Sequence, residues 1–415
     1  MSKPLILDNG LFVDLAARLA RDQEVAYFSS WHNAFPTSRE FAPGSGLPNV
    51  ERVNDPLTYM LEGKASHVIV ADLYLDDLET AARQMEIPIT GCGNGSILET
   101  DRWFFYTYLE QHGLPVILTE EVKGIEALAE KLRKNKDRHI KVSVYRGDME
   151  TWKHDEWDTS QPSLNHLRVR LGPLGNQVPF LMQNPIPSVA EVGIDTFFFH
   201  GAFLNPSILG WEIKDAGYAG VLIDRVPRLF EPTMKVLGEF LGRNDYNMFF
   251  SPEMRVTRDG QVFCTDVTCR LPSPPSGVMM AACRNFSAVM LKAAAPDYRN
   301  NRYFVEIVLK SNHVKEDFLS VQFPAGKQYA FHNYTIVDGR TWIIPHDSGY
   351  VEFGSALGWG DTLKKASEMA EDAAAEVKAE GLYYDTNVLQ KARERMDQAA
   401  GLLGLEQSDA RDRKS

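Results

Sequence analysis

Residues 247–268 read NMFFSPEMRVTRDGQVFCTDVT, and the fold turns on how this segment pairs with itself. Asn247–Thr257 has the pattern of a strand, Asp259-Gly260 is a strong two-residue hairpin signal, and Gln261–Thr268 has the pattern of the returning strand. With Asp259-Gly260 as the turn, Arg258 faces Gln261, and counting away from the turn sets Glu253 directly opposite Asp266. Facing side chains on an antiparallel pair lie about 4.5–5.5 Å apart, so two carboxylates there repel unless something neutralises them. A hard divalent cation such as Mg²⁺, or Mn²⁺ in its place, binds oxygen ligands and bridges to substrate phosphates. The strand period of two puts Thr268 and Arg270 on the Asp266 face. Two acids followed by a hydroxyl and a guanidinium form a phosphate-handling constellation. A solvated hairpin carrying two exposed acids accounts for the local pattern equally well.

The chain has 415 residues, 44% of them hydrophobic and 24% charged, which is ordinary globular material with room for several domains. Its net charge of −12 disfavours a broad nucleic-acid-binding surface, though a modified base in a polymer stays open as a substrate. No apolar run approaches the roughly 18–20 residues that span a bilayer. The opening MSKPLILDNGLF lacks the charged and cleavage regions of a signal peptide and has the pattern of a first strand. Cys92, Cys264, Cys269 and Cys283 show no C-x-x-C pairing, so reduced thiols and a cytoplasmic setting are expected. The ten histidines show no zinc spacing. No internal repeat is visible, and oligomeric state is not legible.

Strands are expected at Pro4–Leu7, Val25–Ser29, His67–Ala71 and Ile87–Thr90, with helices at Leu11–Asp22 and Asp76–Met85 between them. That alternation indicates a parallel α/β sheet. The loop GCGNGS (91–96) looks like a dinucleotide fingerprint but follows the last repeat, and none follows Pro4–Leu7, which disfavours a dinucleotide oxidoreductase. Next come a helix over Asp101–His112, a strand at Pro115–Leu118, a helix over Gly124–Asn135 and a strand at Ile140–Tyr145. Arg146–Pro162 is polar and irregular, long enough for a lid. Leu167–Leu204 is strand-rich, Glu231–Gly242 helical, and Leu271–Pro275 a rigid turn. A helix over Val278–Ala293, short strands from Asn301 to Phe353 and a helix over Asp361–Glu380 complete the pattern.

The order of these segments resembles the ATP-grasp superfamily, and in particular phosphoribosylamine–glycine ligase, over nearly the whole chain. The resemblance is strongest in EPTMKVLGEFL (231–241) followed by FFSPEMRVTRDGQVFCTDVTCRLPSPP (249–275), where the family ends its hairpin in Glu-x-Asn-x-Arg. Asp266, Thr268 and Arg270 occupy those places, and the thirteen-residue step from Glu253 to Asp266 is similar to the two-carboxylate metal site of other ATP-grasp ligases. LETDRWFFYTYLEQHGLPV (98–116) resembles the helix after the first domain, and IKVSVY (140–145) the strand that carries a nucleotide lysine. FLMQNPIPSVAEVGIDTFFFHG (180–201) resembles the hinge, and IVDGRTWIIPHDSGYVEFGSALGWGDTLKKASEMA (336–370) the C-terminal domain.

The resemblance implies an ATP-grasp α/β fold. Residues 1–97 would form an N-terminal parallel α/β domain, 98–180 a small lobe with a flap, and 181–295 a large lobe carrying the metal hairpin. Residues 296–406 would form a C-terminal α+β domain, and 407–415 a disordered tail. It implies an ATP- and Mg²⁺-dependent carbon–nitrogen ligase that joins a small-molecule carboxylate to an amine through an acylphosphate. Glu253, Asp266 and Thr268 would hold metal; Arg102 and Lys141 would hold phosphates. Gln183, Asn184 and Ile186 would meet adenine, Glu191 the ribose hydroxyls, and Arg270 and Lys214 the reaction centre. Each has a plainer reading: Lys141 as an edge charge, Arg102 as a surface residue, Glu191 as a turn cap, Gln183 as a backbone partner. Tyr218, Trp211 and Phe197–Phe199 are expected in the core.

The chain also departs from the family. Its flap is YRGDMETWKHDEW (145–157) with one glycine, leaving Lys153 or Arg146 to replace amide dipoles. The opening glycine-rich signature is reduced to Asp8-Asn9-Gly10, and Val70-Ala71-Asp72 replaces the loop that holds the sugar phosphate. The metal asparagine is Thr268. A rebuilt amine or acid pocket follows, and the alternative is a degenerate ATP-grasp scaffold that binds nucleotide or a partner without turnover.

Overall fold

Leu5-Ile6-Leu7 and Val68-Ile69-Val70 are apolar at every position, so their strands need cover on both faces. The computed structural model, which describes residues 2–30, 42–143, 151–298, 300–345 and 351–405, supplies that cover. β1 (Lys3–Asp8), β2 (Val25–Ser29), β3 (Val50–Arg52), β4 (Ala65–Val70) and β5 (Ile89–Thr90) form a parallel sheet in the order 3-2-1-4-5. Ile6, Tyr27 and Ile69 enter the main core with the helix Val13–Leu19, while Leu5, Leu7, Val68 and Val70 enter a second core with Tyr59, Met60 and Ala82.

β6 (Thr119–Lys123), β7 (Arg138–Val142), β8 (Thr151–His154) and β9 (Pro179–Gln183) make an antiparallel sheet in the order 6-9-7-8. The helices Ile125–Leu132 and Trp157–Leu171 pack on it around Leu128, Ile140, Leu164 and Phe180. The large sheet contains β10 (Ser188–Phe199), β11 (Ser207–Ile213), β12 (Gly217–Ile223), β13 (Met248–Thr257), β14 (Val262–Thr268), β15 (Tyr303–Ser311), β16 (Tyr329–Phe331) and β17 (Glu352–Gly360). Its path runs 14-13-10-11-12-15-17-16. β9 spans residues 180 and 181, and β12 pairs with β15, so the expected boundaries at 180/181 and 295/296 fall within continuous sheets.

Several expectations are corrected. Pro115–Leu118 forms no strand; β6 begins at Thr119, and Asn184 N donates to Leu118 O at 3.2 Å beside it. Helix, not irregular chain, covers Trp157–Leu171, started by a reciprocal cap between Glu156 and Thr159, and it tolerates Pro162 near its N-terminal end. The strand-rich segment therefore begins at Pro179 and not at Leu167. The helix expected over Val278–Ala293 is two helices, Ser276–Ala282 and Phe286–Lys292. Arg18 accounts for the break: its guanidinium donates to Met280 O at 3.0 Å and Cys283 O at 2.9 Å, satisfying carbonyls that a helix end leaves open. Residues 145–150 of the expected flap, Arg146 among them, and the 407–415 tail lie outside the described residues. Lys153 lies in β8 and pairs with Asp155.

Buried acids make stability depend on pH in an unusual sense. Burial pushes Asp8 up to about 7, with Asp72 adding to it, burial pushes Asp14 up to about 7, and burial with Asp14 and Asp195 pushes Glu306 up to about 7. Each native carboxyl keeps a proton that the unfolded chain loses near pH 4, so its contribution is full below that value and lost as pH rises to about 7. Burial also pushes His67 down to about 4 and lowers His332, which acts oppositely as pH falls below the ordinary histidine value. Three acids outweigh two histidines at pH 5.5. Thermal unfolding is therefore expected to show a higher Tm at pH 5.5 than at pH 8. A Tm that climbs across that interval refutes the assignment.

Candidate nucleotide and metal site

Glu253 does face Asp266, but the register arises differently from the expectation. Thr257, not Arg258, faces Gln261: Thr257 N donates to Gln261 O at 3.0 Å, and Gln261 N donates to Thr257 Oγ1 at 3.1 Å. The connection is thus three residues, Arg258-Asp259-Gly260, with Gly260 at φ +84. Thr257 Oγ1 also donates to Asp259 Oδ1 at 2.5 Å, which closes the longer loop. This shifts the pairing by one residue. A bulge at Thr265 shifts it back, because Met254 faces Cys264 while Glu253 faces Asp266.

The bulge has a second effect. Thr265 O, released from the ladder, accepts the Tyr106 hydroxyl at 2.7 Å and the Lys141 ammonium at 2.9 Å. The hairpin is thereby tied to the helix Arg102–Gln111 and to β7. Lys141 Nζ lies 3.4 Å from Asp266 Oδ2, and Arg102 Nη2 lies 3.9 Å from the same oxygen. Burial works against the lysine charge, yet Asp266 and Tyr106 leave its pKa raised, so Lys141 is a cation at neutral pH.

Nine of the eleven sequence-predicted site residues line one cleft of about 480 Å³ between the small sheet and the large one. These are Lys141, Gln183, Asn184, Ile186, Glu191, Lys214, Glu253, Asp266 and Thr268. The volume falls in the range of roughly 300–1,000 Å³ usual for small-ligand sites. Gln183 Nε2 donates to Thr119 Oγ1 at 3.0 Å, which fixes its amide at the end of β9.

Arg102 and Arg270 stand outside the cleft lining. Arg102 is 1% exposed and donates through Nη1 to Val142 O at 2.6 Å, so it lies behind Asp266. Arg270 does not continue the strand alternation, because β14 ends at Thr268. Its Nε instead donates to Glu99 Oε1 at 3.1 Å and lies 3.6 Å from Asp72 Oδ1, after β4. Glu99 is fully buried and also accepts Cys269 N at 2.5 Å.

Electrostatically the cleft is short of positive charge. Burial, then Glu191 and Asp266, push Glu253 up to about 7. Burial opposes the Glu191 charge, but a hydrogen bond from the Glu253 carboxyl and the cation of Arg255, 2.7 Å away, hold Glu191 below its usual value. The two carboxyls titrate as a pair, Glu253 raised and Glu191 lowered. Thr265 Oγ1 donates to Glu253 Oε1 at 3.1 Å. Among the described residues no group of three or more His, Cys, Asp or Glu is placed to cage a metal ion. The donor set fits a different kind of site: two carboxylates on adjoining strands that would share a Mg²⁺ with phosphate oxygens and water.

Sequence reasoning missed Asp195, Glu212, Ser251 and Arg255, all in the cleft lining, and took Tyr218 for core. Tyr218 is 3% exposed, yet its hydroxyl donates to Asp195 Oδ2 at 2.5 Å at the cleft floor. Burial pushes Asp195 up to about 6, so it is a carboxylate at neutral pH, and Ser251 Oγ donates to its other oxygen at 2.7 Å. Glu212 opens onto the cleft, where the surrounding protein and then Glu253, Asp195 and Asp215 raise its carboxyl. The available signal was the recurrence of glycine two positions from Asp195, Glu212 and Tyr218, at Gly193, Gly210 and Gly220.

A parallel sheet, a small antiparallel sheet and a large sheet in these orders, with the cleft between the last two, constitute the ATP-grasp fold. The chain matches phosphoribosylamine–glycine ligase from Thermotoga maritima with a TM-score of 0.66 and 15% identity, covering 92% of this chain and 98% of that one. L-amino acid ligase from Bacillus licheniformis matches at 0.60 and 14%, covering 93% and 99% respectively. The biotin carboxylase domain of 2-oxoglutarate carboxylase from Hydrogenobacter thermophilus, in complex with MgADP, matches at 0.65 and 12%, covering 97% and 99%. No protein-family model matches the sequence, and no curated protein is significantly similar to it. At these identities the likeness is one of fold. Among the described residues no helix is long and apolar enough to cross a membrane.

Proposed function

We propose that the protein is an ATP- and Mg²⁺-dependent carboxylate–amine ligase acting through an acylphosphate. One observation carries the reading: Glu253 and Asp266 face each other in an interlobe cleft that also holds the Lys141 ammonium. Phosphoryl transfer asks the protein for charge neutralisation and alignment more than for covalent chemistry. A bound Mg²⁺ would supply neutralisation of the phosphate charge. Glu253 and Asp266 would hold it, and Thr268 adds a hydroxyl on the same strand as Asp266. Lys141 brings the cation for the phosphates, and Gln183, Asn184 and Ile186 form the wall for adenine. Glu191, oriented by Arg255, offers acceptors to ribose hydroxyls. Arg102, enclosed behind Asp266, positions that carboxylate, and Arg270 anchors the end of the hairpin to Glu99 and Asp72. Lys214, on the turn between β11 and β12, lines the cleft and would meet the reacting carboxylate. The similar structures are named as ligases and a biotin carboxylase, one with MgADP bound, which agrees with this class. Four buried cysteines in no disulfide suit a cytoplasmic protein.

The experiment is ADP release with Mg²⁺ and pooled carboxylates and amines. Release that needs both pools is expected. A second reading, nucleotide binding without turnover, is favoured by the contacts that already engage Lys141 with Asp266 and Thr265. Thermal stabilisation by ADP with no release from any pool would establish that reading and overturn the ligase.

A further inference from the structure

Directly opposed positions form a row across the large sheet: Asp266, Glu253, Gly193, Gly210, Gly220 and Phe304. Opposed residues project to one face, so the two acids are followed by three positions with no side chain. Tyr218 fills two of them. A Cβ on Gly210 would stand 2.4 Å from its hydroxyl, and one on Gly220 2.6 Å from it. Over Gly193 the notch stays open. A Cβ there would meet nothing nearer than Ser251 Oγ at 3.5 Å, then Asp195 Oδ1 and Gly210 O at 3.9 Å. Gly193, Asp195, Ser251 and Glu253 all line the cleft.

Hydrogen-bond direction sets what the notch can take. Tyr218 spends its proton on Asp195 Oδ2, and Ser251 spends its proton on Asp195 Oδ1. The Ser251 oxygen is left with lone pairs only, beside a carboxylate and a main-chain carbonyl. Such a wall selects N–H donors and repels carboxylate or phosphate oxygens. Resting on the ligase reading, we infer that the notch over Gly193 seats the nitrogen of the amine substrate, a small primary amine that arrives as an ammonium. Ser251 accepts one of its N–H groups. Asp195 and Tyr218 are positioning residues that hold the Ser251 hydroxyl turned away from the notch.

The test uses the full chain with Mg²⁺, ATP, a carboxylate pool and, one at a time, ammonia, glycine, ethanolamine and putrescine. On whichever amine drives ADP release, Gly193→Ala fills the notch with one methyl and is expected to raise the amine KM about tenfold or more. The KM for ATP and the stabilisation by ADP should stay unchanged, showing that the nucleotide end is intact. Ser251→Ala should raise the amine KM similarly, and Ser251→Thr, which keeps the hydroxyl, should restore most of it. Unchanged amine KM in both Gly193→Ala and Ser251→Ala overturns the seat while the ligase stands. Silence of the unsubstituted protein with every pair overturns the ligase reading and the seat with it, and is seen before any variant is made.

Discussion

Asp266→Asn is expected to lower kcat for ATP turnover by about 10²–10³-fold, or about 3–4 kcal/mol of transition-state stabilisation. Asp266 is the point where three charges converge. Lys141 lies 3.4 Å from its Oδ2, Arg102 lies 3.9 Å away, and Glu253 faces it across the hairpin. Burial, then Glu191 and Asp266 itself, push the facing Glu253 up to about 7. Amide replacement removes one of the two proposed cation ligands and leaves the shape of the hairpin. The fold should survive, because Lys141 keeps its bonds to Thr265 O and Tyr106 Oη, and Arg102 keeps Val142 O. A steady-state ADP-release assay reads the loss, with circular dichroism and ADP-dependent thermal shift as controls for folding and nucleotide binding. Turnover retained within about tenfold would remove Asp266 from the chemistry.

The pairing of Glu253 with Asp266 was legible in the sequence, but by two offsetting departures from the simplest hairpin. Asp259-Gly260 signals a turn without fixing its length, and the Thr257 hydroxyl, bonding to both Asp259 and Gln261, lengthens it to three residues. The bulge at Thr265 has no mark in Cys264-Thr265-Asp266. It is held from outside, by Tyr106 and Lys141 reaching the freed carbonyl. The parallel sheet was legible because strands buried on both faces are apolar throughout. The direction of Arg270 was not, because alternation ends with the strand at Thr268 and the buried Glu99 comes from a distant helix. Tyr218 looks alike in sequence whether it packs in a core or floors a cleft. Only the strand register brings Gly193, Gly210 and Gly220 into one row and reveals where its ring lies.

Gly210→Ala is expected to destabilise the protein by about 3–5 kcal/mol, combining overpacking with a broken buried hydrogen bond. The added Cβ would stand 2.4 Å from both Cε2 and Oη of Tyr218 and 2.6 Å from Asp195 Oδ2, closer than atoms approach without movement. The ring has no easy retreat. Its hydroxyl is fixed on Asp195 at 2.5 Å, the side chain is 3% exposed, and the neighbouring Gly220 position offers no more clearance. Displacing the ring leaves a buried carboxylate short of a donor, whereas keeping it strains β11 against β12. Urea unfolding of Gly210→Ala, Tyr218→Ala and the double variant separates these terms as a cycle. If the ring is the main obstacle, the methyl costs clearly less in the Tyr218→Ala background than in the parent, because only the Asp195 Oδ2 contact at 2.6 Å is then left to relieve. Gly193→Ala serves as the matched control, since its nearest contact of 3.5 Å is an ordinary one and its stability should be unaltered. Strict additivity in the cycle, or a Gly210→Ala protein as stable as the parent, would show that Tyr218 does not lie over the glycine row.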